Sequence, residues 1–419
     1  MPANPANADN TRKPRLSFVK KLRASYRKRL FSLWYAWRTF TGHNHLHPPG
    51  SRRPTRVAFL CHMPALWSKL QPIYDATRDA DDFEPVVVAA HRDKGVREET
   101  ARFLLTEGIT VMGGAKEPST ALEDFRPDYV FHSVPYEHFY PDHLQAPTVW
   151  RYARLCYVPY VGQLIYGSGV AKTTHHASYF RILRLAFLAD EWEKARLLEN
   201  CSWTDCGKVV RVVGSPHAER VLAKTRTVEH KVSRRPKVLW TPRWNTSEGN
   251  CHFFDHKDLL LEMSERGEIE FTFRPHPLCL PNLLKTGELT QAEHDRYRDR
   301  IARCTYASLD EGDYLRALAE HEVFVSDMSS VLGDAFLTGK PVVYTHRVDH
   351  FNELGRFMAE GFYWARTPAE LTERLRKLAE GDDPLLEKRR SLLAEFGKIS
   401  PAGATQRILA DIRSDRVLN

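Results

Sequence analysis

Short, continuous apolar runs alternate with amphipathic segments along the chain from Val57 onward. In the first half the runs read VAFLCH, PVVVAA, ITVMGG and YVFHS, and RLAFLAD and VVRVVG continue the series to about residue 230. The segments between them, such as 66–80 and 95–107, have apolar residues at helical spacing. Strands that are apolar on both faces and alternate with helices predict a parallel sheet that is covered by helices on both sides.

A charged stretch, EHKVSRRP at 229–236, separates this series from a second one. The apolar runs of the second series are KVLWTP, IEFTFRP, VFVSD and PVVYT. The helical patterns that accompany them cover residues 255–265, 290–303, 311–320, 329–338, 367–379, 384–396 and 402–416. We therefore predict an α/β protein in which two doubly wound, Rossmann-like domains face a cleft, which is the GT-B architecture.

The chain divides into four predicted segments. They are a basic segment and linker at 1–55, a first α/β domain at 56–230, a second α/β domain at 231–382, and two closing helices at 383–419. We expect the second domain to bind a donor and the first to bind an acceptor.

The first segment has an unusual charge. Residues 1–56 hold thirteen Lys or Arg and one acid, so their net charge is +12, and the rest of the chain carries −4 of the total +8. Between residues 15 and 40, apolar side chains such as Leu22, Tyr26 and Trp34 recur at helical spacing, with basic residues on the other face. This basic amphipathic helix predicts binding to an anionic membrane surface; packing on the body or on a partner is the alternative. Since the body is mildly acidic, nucleic acid is not an expected partner.

Three features predict a location in the cytoplasm, on the inner face of the cell membrane. No apolar run is long enough to span a bilayer, which takes about 20 residues. The chain begins with a polar stretch that does not resemble a signal peptide. Its seven cysteines have irregular spacing, without CxxC pairs, as is typical of reduced thiols.

The stretch FVSDMSSVLGDAF, at 324–336, ends one predicted strand and begins a helix. Ligands of open α/β sheets bind outside the carboxyl ends of the strands, and a helix start favours anions. Ser329 and Ser330 would add hydroxyl donors for a diphosphate, and Asp334, one turn further, would accept from hydroxyl groups of the donor. The alternative is that Ser329 or Asp327 only caps the helix.

Three further motifs follow strand ends. FTFRPHP places Arg274 and His276 after a strand, where the guanidinium can bind phosphate oxygens and the imidazole can transfer a proton or neutralise phosphoryl charge. Arg243, in LWTPRWNTS, would border the same cleft. Gly214, in VVGSPHAERV, lies at a strand–helix junction near the domain boundary, where a hinge role and a ligand contact are both open.

RPHP, followed by SDxSSxxxD and GKPVVY, resembles the CDP-glycerol glycerophosphotransferase family of teichoic-acid and capsule polymerases. The resemblance is strongest over residues 205–345 and also includes GSP and TPRW. It implies a GT-B enzyme that binds CDP-glycerol or a related CDP-alditol in its second domain. Arg274, His276, Ser329 and Ser330 would contact the donor phosphates, and Asp327 would shape the loop.

The sequence departs from this family in its first domain. Members have a Trp-His-Gly motif whose histidine is a candidate base, whereas the comparable region here reads LCYVPYVGQLIYGSG, with Tyr157, Tyr160 and Gln163 but no histidine. The acceptor-side candidates are Tyr160, His62 and His132. The other possible replacements for the missing base are Glu137, His175 and His176.

The predicted function is transfer of an alditol phosphate, foremost glycerol phosphate, from a CDP-alditol to a lipid-linked or polymeric acceptor hydroxyl. The alternative is a GT-B glycosyltransferase that uses a nucleotide sugar; an epimerase and a non-catalytic membrane scaffold are weaker alternatives. No GxGxxG follows the first strand, so we expect no nicotinamide or flavin cofactor. Nothing in the pattern of Asp and His residues suggests an obligate catalytic metal.

Overall fold

This computed structural model describes residues 53–113, 121–159, 177–200, 205–225, 232–244, 246, 251–310, 312–346 and 351–417. By its internal contacts the chain divides into two units, residues 1–48 and 49–419, and all described residues belong to the second unit. The predicted membrane-binding helix at 15–40 lies outside the described residues, as do the acceptor candidate Tyr160 and the residues Gln163, His175 and His176.

Six parallel strands form the first sheet. They are β1 (Thr55–Cys61), β2 (Phe83–Ala89), β3 (Tyr129–His132), β4 (Arg154–Tyr157), β5 (Leu183–Leu188) and β6 (Val210–Val212). Their spatial order is β2-β1-β3-β4-β5-β6. Every residue of β3 and β4 is buried, as expected for strands that are covered by helices on both faces. The strand order reverses between β1 and β3.

Six parallel strands also form the second sheet. They are β7 (Lys237–Thr241), β8 (Glu270–Phe273), β9 (Ala307–Leu309), β10 (Val323–Ser326), β11 (Val342–Tyr344) and β12 (Tyr363–Trp364). Their spatial order is β12-β11-β10-β7-β8-β9. The chain runs from β7 outward to β9 and then returns to β10 on the other side of β7. The strand order of this sheet therefore reverses between β7 and β10.

Helices connect the strands of both sheets. Those before β7 are α1 (Pro64–Arg78), α2 (Lys94–Thr106), α3 (Ala121–Phe125), α4 (Ala146–Val149), α5 (Ala177–Phe180), α6 (Glu191–Asn200) and α7 (Pro216–Thr225). Those after β7 are α8 (Phe253–Glu265), α9 (Cys279–Thr286), α10 (Gln291–Arg303), α11 (Tyr314–Glu320), α12 (Val331–Leu337), α13 (Glu353–Ala359), α14 (Pro368–Ala379), α15 (Leu386–Ile399) and α16 (Ala404–Val417).

Local sequence explains where several of these helices begin. The Asp93 side chain accepts a hydrogen bond from the backbone N–H of Val96 and caps α2. Thr290 and Glu293 form a reciprocal capping box at the start of α10. Such caps satisfy backbone donors that have no partner within the helix.

The two doubly wound sheets confirm the predicted α/β, GT-B-like fold class. One predicted strand is wrong: of the run ITVMGG at 109–114, the described residues contribute only an isolated bridge between Val111 and Val87. Ile109 and Val111 are buried in the first core, so this run packs its apolar side chains without joining the sheet. The short strands β4, β9 and β12 were not predicted; β9 and β12, of three and two residues, are only partly buried and lie at the two edges of the second sheet.

The two closing helices pack on different cores. Leu392 and Phe396 of α15 pack in the second domain, beside β10 and β11. Ile408 and Ile412 of α16 pack instead in the core of the first domain. Asp415, near the end of α16, accepts hydrogen bonds from the hydroxyl of Tyr129 at 2.8 Å and from Arg184 at 2.7 Å. Helix α16 therefore packs on the first domain, although it follows the second domain in sequence.

Helix α7 joins the two domains. It follows β6 of the first sheet, and its side chains Ala218 and Val221 belong to the apolar core around β7 and β10 of the second sheet. Because α7 also contacts α1, it packs between the two domains just before the chain enters the second one.

Candidate functional site

The polar residues predicted for the donor site follow three adjacent strands of the second sheet. Arg243 follows β7, Arg274 and His276 follow β8, and Asp327 follows β10. Since the three strands are parallel and neighbours in the order β10-β7-β8, these residues lie at one edge of the sheet. The edge includes the reversal of strand order between β7 and β10, which is where open α/β sheets bind their ligands.

Asp327 connects the ends of these strands from inside the protein. Its buried carboxylate accepts hydrogen bonds from the backbone N–H groups of Arg243 at 3.2 Å and His252 at 3.0 Å. It also accepts from the hydroxyl of Thr345, just after β11, at 2.5 Å. Burial raises the pKa of Asp327, and the hydrogen bonds to these donors counteract that rise. Asp327 thus shapes the loop and has no exposed surface for a ligand.

Arg243 spans the point at which the strand order reverses. Its Nη1 donates to the backbone carbonyl of Met328 at 3.0 Å. Its own carbonyl accepts a hydrogen bond from the thiol of Cys251. The guanidinium therefore brings positive charge to the loop that carries the two serines.

Arg274 is held by the end of the neighbouring strand β9. Its guanidinium donates to Asp310 Oδ2 at 2.5 Å and to the carbonyl of Gly312 at 3.0 Å. It also lies over the ring of Tyr314, 5.3 Å from the ring centre. A phosphate group that bound to the Arg274 guanidinium would therefore share it with the Asp310 carboxylate.

His276 is more than a third exposed, and its ring stands 6.1 Å from that of Trp244. Its Nδ1 accepts a hydrogen bond from the backbone N–H of Leu278 at 3.1 Å, which leaves the proton of a neutral ring on Nε2. Partial desolvation and the nearby Arg243 charge lower the pKa of His276 to about 4. At neutral pH the ring is therefore an uncharged hydrogen-bond donor.

The paired serines lie immediately before α12. Ser329 Oγ accepts a hydrogen bond from the N–H of Val331 at 3.2 Å, so this hydroxyl caps the helix as the alternative reading expected. Ser330 is exposed and occupies the position before the first helical residue. An accepting hydroxyl keeps its own proton for donation, so the capping contact and a ligand contact are compatible for Ser329.

Asp334, predicted to accept from donor hydroxyls, is surrounded by protein groups. Its Oδ2 lies 3.0 Å from His217 Nε2 and accepts from the hydroxyl of Tyr314 at 3.0 Å. The ammonium of Lys69 is 3.9 Å away. Burial alone would raise the pKa of Asp334, but His217, Lys69 and Tyr314 outweigh it and hold the pKa well below its usual range. In this structure the carboxylate joins the two domains.

The position of Gly214 requires a glycine, because another segment of the chain packs closely against it. Its φ is +85°, and a Cβ placed on it would come 2.5 Å from the carbonyl oxygen of Pro401. The segment before α16 therefore passes directly over this glycine. The carbonyl of the preceding Val213 accepts two hydrogen bonds from Arg407. These contacts give Gly214 a structural role at the junction between the domains.

The acceptor-side candidates His62 and His132 lie together at the first sheet. His62 follows β1 and His132 ends β3, and the strand order of the first sheet reverses between these two strands. The ring of Tyr140 stands 5.6 Å from His62 and 5.0 Å from His132. Burial lowers the pKa of each histidine to about 3, so both rings are neutral at pH 7.

Glu137, another candidate for the missing base, lies in the loop after β3. Its Oε2 accepts a hydrogen bond from the backbone N–H of Ala146 at 2.9 Å, at the start of α4. Burial raises the pKa of Glu137 to about 7, and the Ala146 hydrogen bond opposes the rise. A carboxyl group with this pKa can exchange a proton near neutral pH.

Sequence reasoning missed two groups of residues. His252 and His346 are buried near Asp327, with His252 Nε2 and His346 Nδ1 3.2 Å apart. Lys69, His217 and Tyr314 converge on Asp334. His217 directly follows GSP and His346 lies two residues after GKPVVY, but neither motif indicates which distant residue its histidine meets.

Two other kinds of feature are absent from the described residues. None of the helices in these ranges is both long and apolar enough to cross a bilayer. Within the same ranges, no three His, Cys, Asp or Glu side chains are grouped so that they could hold a metal ion.

Comparisons with known proteins identify the fold. No protein-family model and no curated protein matches this sequence. Among solved structures, the UDP-GlcNAc 2-epimerase from Neisseria meningitidis bound to UDP-GlcNAc is 14% identical, with a TM-score of 0.58 over 86% of this chain and 100% of that one. A putative UDP-N-acetylglucosamine 2-epimerase from Listeria monocytogenes is 13% identical, with a TM-score of 0.58 over 86% of this chain and 96% of that one.

The wall teichoic acid polymerase TagF is similar over more of the chain. It is 13% identical, with a TM-score of 0.57 over 96% of this chain and 98% of that one. At such low identity the likeness establishes the fold and leaves the reaction open. The chain shares the GT-B fold of enzymes that act on nucleotide-linked substrates.

Proposed function

We propose that this protein transfers an alditol phosphate, with glycerol phosphate as the leading candidate, from a CDP-alditol to a hydroxyl of a lipid-linked or polymeric acceptor. The acceptor oxygen would attack the β-phosphorus of the donor and form a new P–O bond. The bond from that phosphorus to the bridging oxygen would break, CMP would leave with that oxygen, and the acceptor proton would pass to a base.

The observation that carries this proposal is the convergence of Arg243, His276 and the Ser329–Ser330 loop at adjacent strand ends. Two hydroxyl groups, a neutral imidazole and a guanidinium suit a diphosphate, whose oxygens accept hydrogen bonds and whose charge rises as the leaving group departs. The hydrogen bond from Arg243 to the Met328 carbonyl supports this, because it brings the guanidinium to the serine loop.

His276 would donate from Nε2 to a phosphate oxygen. Its Nδ1 is occupied by the Leu278 N–H, so only Nε2 faces a ligand. A bound diphosphate would raise the pKa of His276 from its low value, and the ring would then be able to protonate the departing CMP. Glu137 or His62, in the first domain, would receive the acceptor proton.

A nucleotide-sugar glycosyltransferase is the second candidate, because the same phosphate-binding groups would serve a donor whose sugar is attacked at carbon. The likeness to UDP-GlcNAc 2-epimerases also supports a nucleotide-sugar ligand. For either reaction we propose that residues 15–40 hold the enzyme on an anionic membrane surface, where a lipid-linked acceptor is found.

The test is product release by the purified full-length protein with CDP-glycerol and a hydroxyl-bearing lipid-linked acceptor. CMP release that is lowered about 100-fold or more by His276→Ala, and lowered by Ser329→Ala, would support the proposal. His294→Ala, whose ring contacts Gln291 and Asp295 of its own helix α10, is the matched control and should retain full activity. UDP-GlcNAc is offered in parallel. Release of UDP only with an acceptor would favour the glycosyltransferase, and conversion without an acceptor would favour an epimerase.

A further inference from the structure

Four aromatic side chains of the first domain meet where the strand order reverses. We call His62, His132, Tyr140 and Tyr179 the imidazole cluster. Tyr140 contacts both histidines, at 5.6 Å from His62 and 5.0 Å from His132, and Tyr179 lies 6.3 Å from His132 between ring centres. All four side chains are at least nine-tenths buried.

Several polar atoms of the imidazole cluster have no hydrogen-bond partner among the residues that the structure describes. They include both ring nitrogens of His132, Nδ1 of His62 and the hydroxyl of Tyr179. The hydroxyl of Ser133, the residue after His132, is buried and unpartnered as well. Native proteins pair nearly all buried polar atoms, so this concentration at one place indicates a missing hydrogen-bonding ligand.

The charge state of the cluster restricts that ligand to one chemical class. Both histidines are neutral at pH 7, because burial lowers the pKa of each ring to about 3. A neutral imidazole has one donor and one acceptor, and a tyrosine hydroxyl has both functions. An alcohol matches them because it also donates and accepts. A phosphodiester or an ionised carboxylate has no proton to donate and would leave the acceptor nitrogens unpaired, and an ammonium accepts no hydrogen bond and would leave the donors unpaired.

The neighbouring charged groups are already engaged. The His91 ring, 4.3 Å from His62, accepts from the backbone N–H of Asp93 at Nδ1. Arg92 pairs with Asp142, and Arg97 donates from Nη1 to the carbonyl of His91, while its buried Nε has no partner among the described residues. Glu137, which acts electrostatically on Tyr140 and Tyr179, accepts from the backbone N–H of Ala146. In the described part of the chain none of these groups forms an ion pair with the cluster, in contrast to the basic edge of the second sheet.

We propose that the imidazole cluster binds the uncharged hydroxyl groups of a polyol or saccharide. The identity of the ligand rests on the proposed function. Under that function the ligand is the acceptor, and its hydroxyl-bearing end would enter this site. His132 would contact one hydroxyl through each ring nitrogen, and Tyr179 would contact another. The two domains would then differ in chemistry, with phosphate recognised by the second and neutral hydroxyl groups by the first.

The test follows the histidine rings of ¹⁵N-histidine-labelled full-length protein by NMR while glycerol, methyl α-D-glucopyranoside or dimethyl phosphate is added. His62→Phe and His132→Phe identify the two signals. Glycerol or the glucoside should shift the His132 signals in a saturable way, and phosphate should not. Saturable shifts with phosphate alone, or none with either polyol, would overturn the proposal and leave the cluster as a hydrated or empty site.

Tyr179→Phe provides a second measurement that does not depend on the histidine variants. It removes an unpaired buried hydroxyl and keeps the ring. The free protein should therefore keep or raise its melting temperature, whereas polyol affinity should fall about fivefold for one lost hydrogen bond. A clear loss of thermal stability without loss of affinity would instead show that the hydroxyl serves the fold.

A separate binding measurement keeps this proposal distinct from the proposed function. CDP-glycerol binding is followed by the shift in melting temperature, with Arg243→Ala as the comparison. If polyols bind at His132 but no nucleotide binds, the proposed function fails and the hydroxyl site stands. If nucleotides bind but polyols do not, the hydroxyl site fails alone.

Discussion

The His217 imidazole and the Asp334 carboxylate lie 3.0 Å apart and connect the two domains. His217 belongs to α7, which enters from the first domain, and Asp334 belongs to α12 of the second. Lys69 of α1 and Tyr314 of α11 complete the buried group around the carboxylate. Asp334, a residue of the predicted donor-binding motif, therefore contacts side chains of α1 and α7.

Asp334→Asn should lower the free energy of unfolding by about 3 kcal/mol, because it leaves Lys69 and His217 buried without their anion. Urea unfolding at pH 7 measures the change. Asp299→Asn, at an exposed position of α10, is the matched control and should change stability by less than about 0.5 kcal/mol. Equal losses in the two variants would contradict the structural role of Asp334.

The same carboxylate should give the wild-type protein a distinct loss of stability in acid. Its folded pKa is held below the value in the unfolded chain, so its contribution is complete above the unfolded pKa, near 4. The contribution is lost as the pH falls below that value. Stability curves of wild type and Asp334→Asn should therefore converge between about pH 4 and pH 2. A constant difference over this range would be inconsistent with the ion pair.

His276 should titrate with a pKa of about 4 in the free protein and carry its proton on Nε2 at neutral pH. Because the folded pKa lies below that of the unfolded chain, protonation of His276 should cost stability as the pH falls from about 6.5 to 4. NMR titration of labelled histidines measures the pKa and the tautomer. Addition of CDP should raise the pKa of His276, and an unchanged pKa would contradict a phosphate contact of this ring.

Gly214→Ala should destabilise the protein more than the same change at another glycine with positive φ. At Gly214 the added Cβ would meet the Pro401 carbonyl, whereas nothing lies within 4 Å of a Cβ at Gly287, whose φ is +74°. Gly287→Ala should therefore cost only the left-handed backbone strain of about 1 kcal/mol. Gly214→Ala adds displacement of the segment before α16, and thermal unfolding of the two variants separates the effects.

Removal of residues 1–50 should abolish sedimentation with anionic phospholipid vesicles. The basic segment supplies net charge that is attracted to such a surface, by about 1 kcal/mol for each Lys or Arg near it. Binding of the full chain should weaken at high salt, and vesicles of neutral lipid should bind it less. Unchanged sedimentation of the shortened protein would assign membrane binding to the body instead.

Much of the architecture could be predicted from local patterns. Apolar runs such as those of β1, β7 and β10 identified buried parallel strands, because each run is complete within a few residues. The predicted strand ends also placed Arg243, Arg274 and His276 at one edge of the second sheet, because parallel strands all end at the same edge. The roles predicted for these side chains remain predictions.

Other features depend on contacts between distant parts of the chain. Lys340 of GKPVVY illustrates this, because its ammonium is buried and donates to the carbonyls of Leu318, Ala319 and His321 at the end of α11. Nothing in the motif itself indicates that role. The position of α16 in the first core also depends on distant contacts. The apolar pattern of α16 predicts a helix with a buried face, but it does not indicate whether that face packs on the first core or on the second.

The sequence by itself determined the fold class and the order of most strands and helices, because hydrophobic periodicity is a local property that each segment carries. Only the tertiary structure decided that β10 lies beside β7, that Asp334 meets His217, and that His62 and His132 share one buried cluster. Each of these arrangements joins residues far apart in the chain, and their free energy comes from burial and pairing that exist only once both domains have packed.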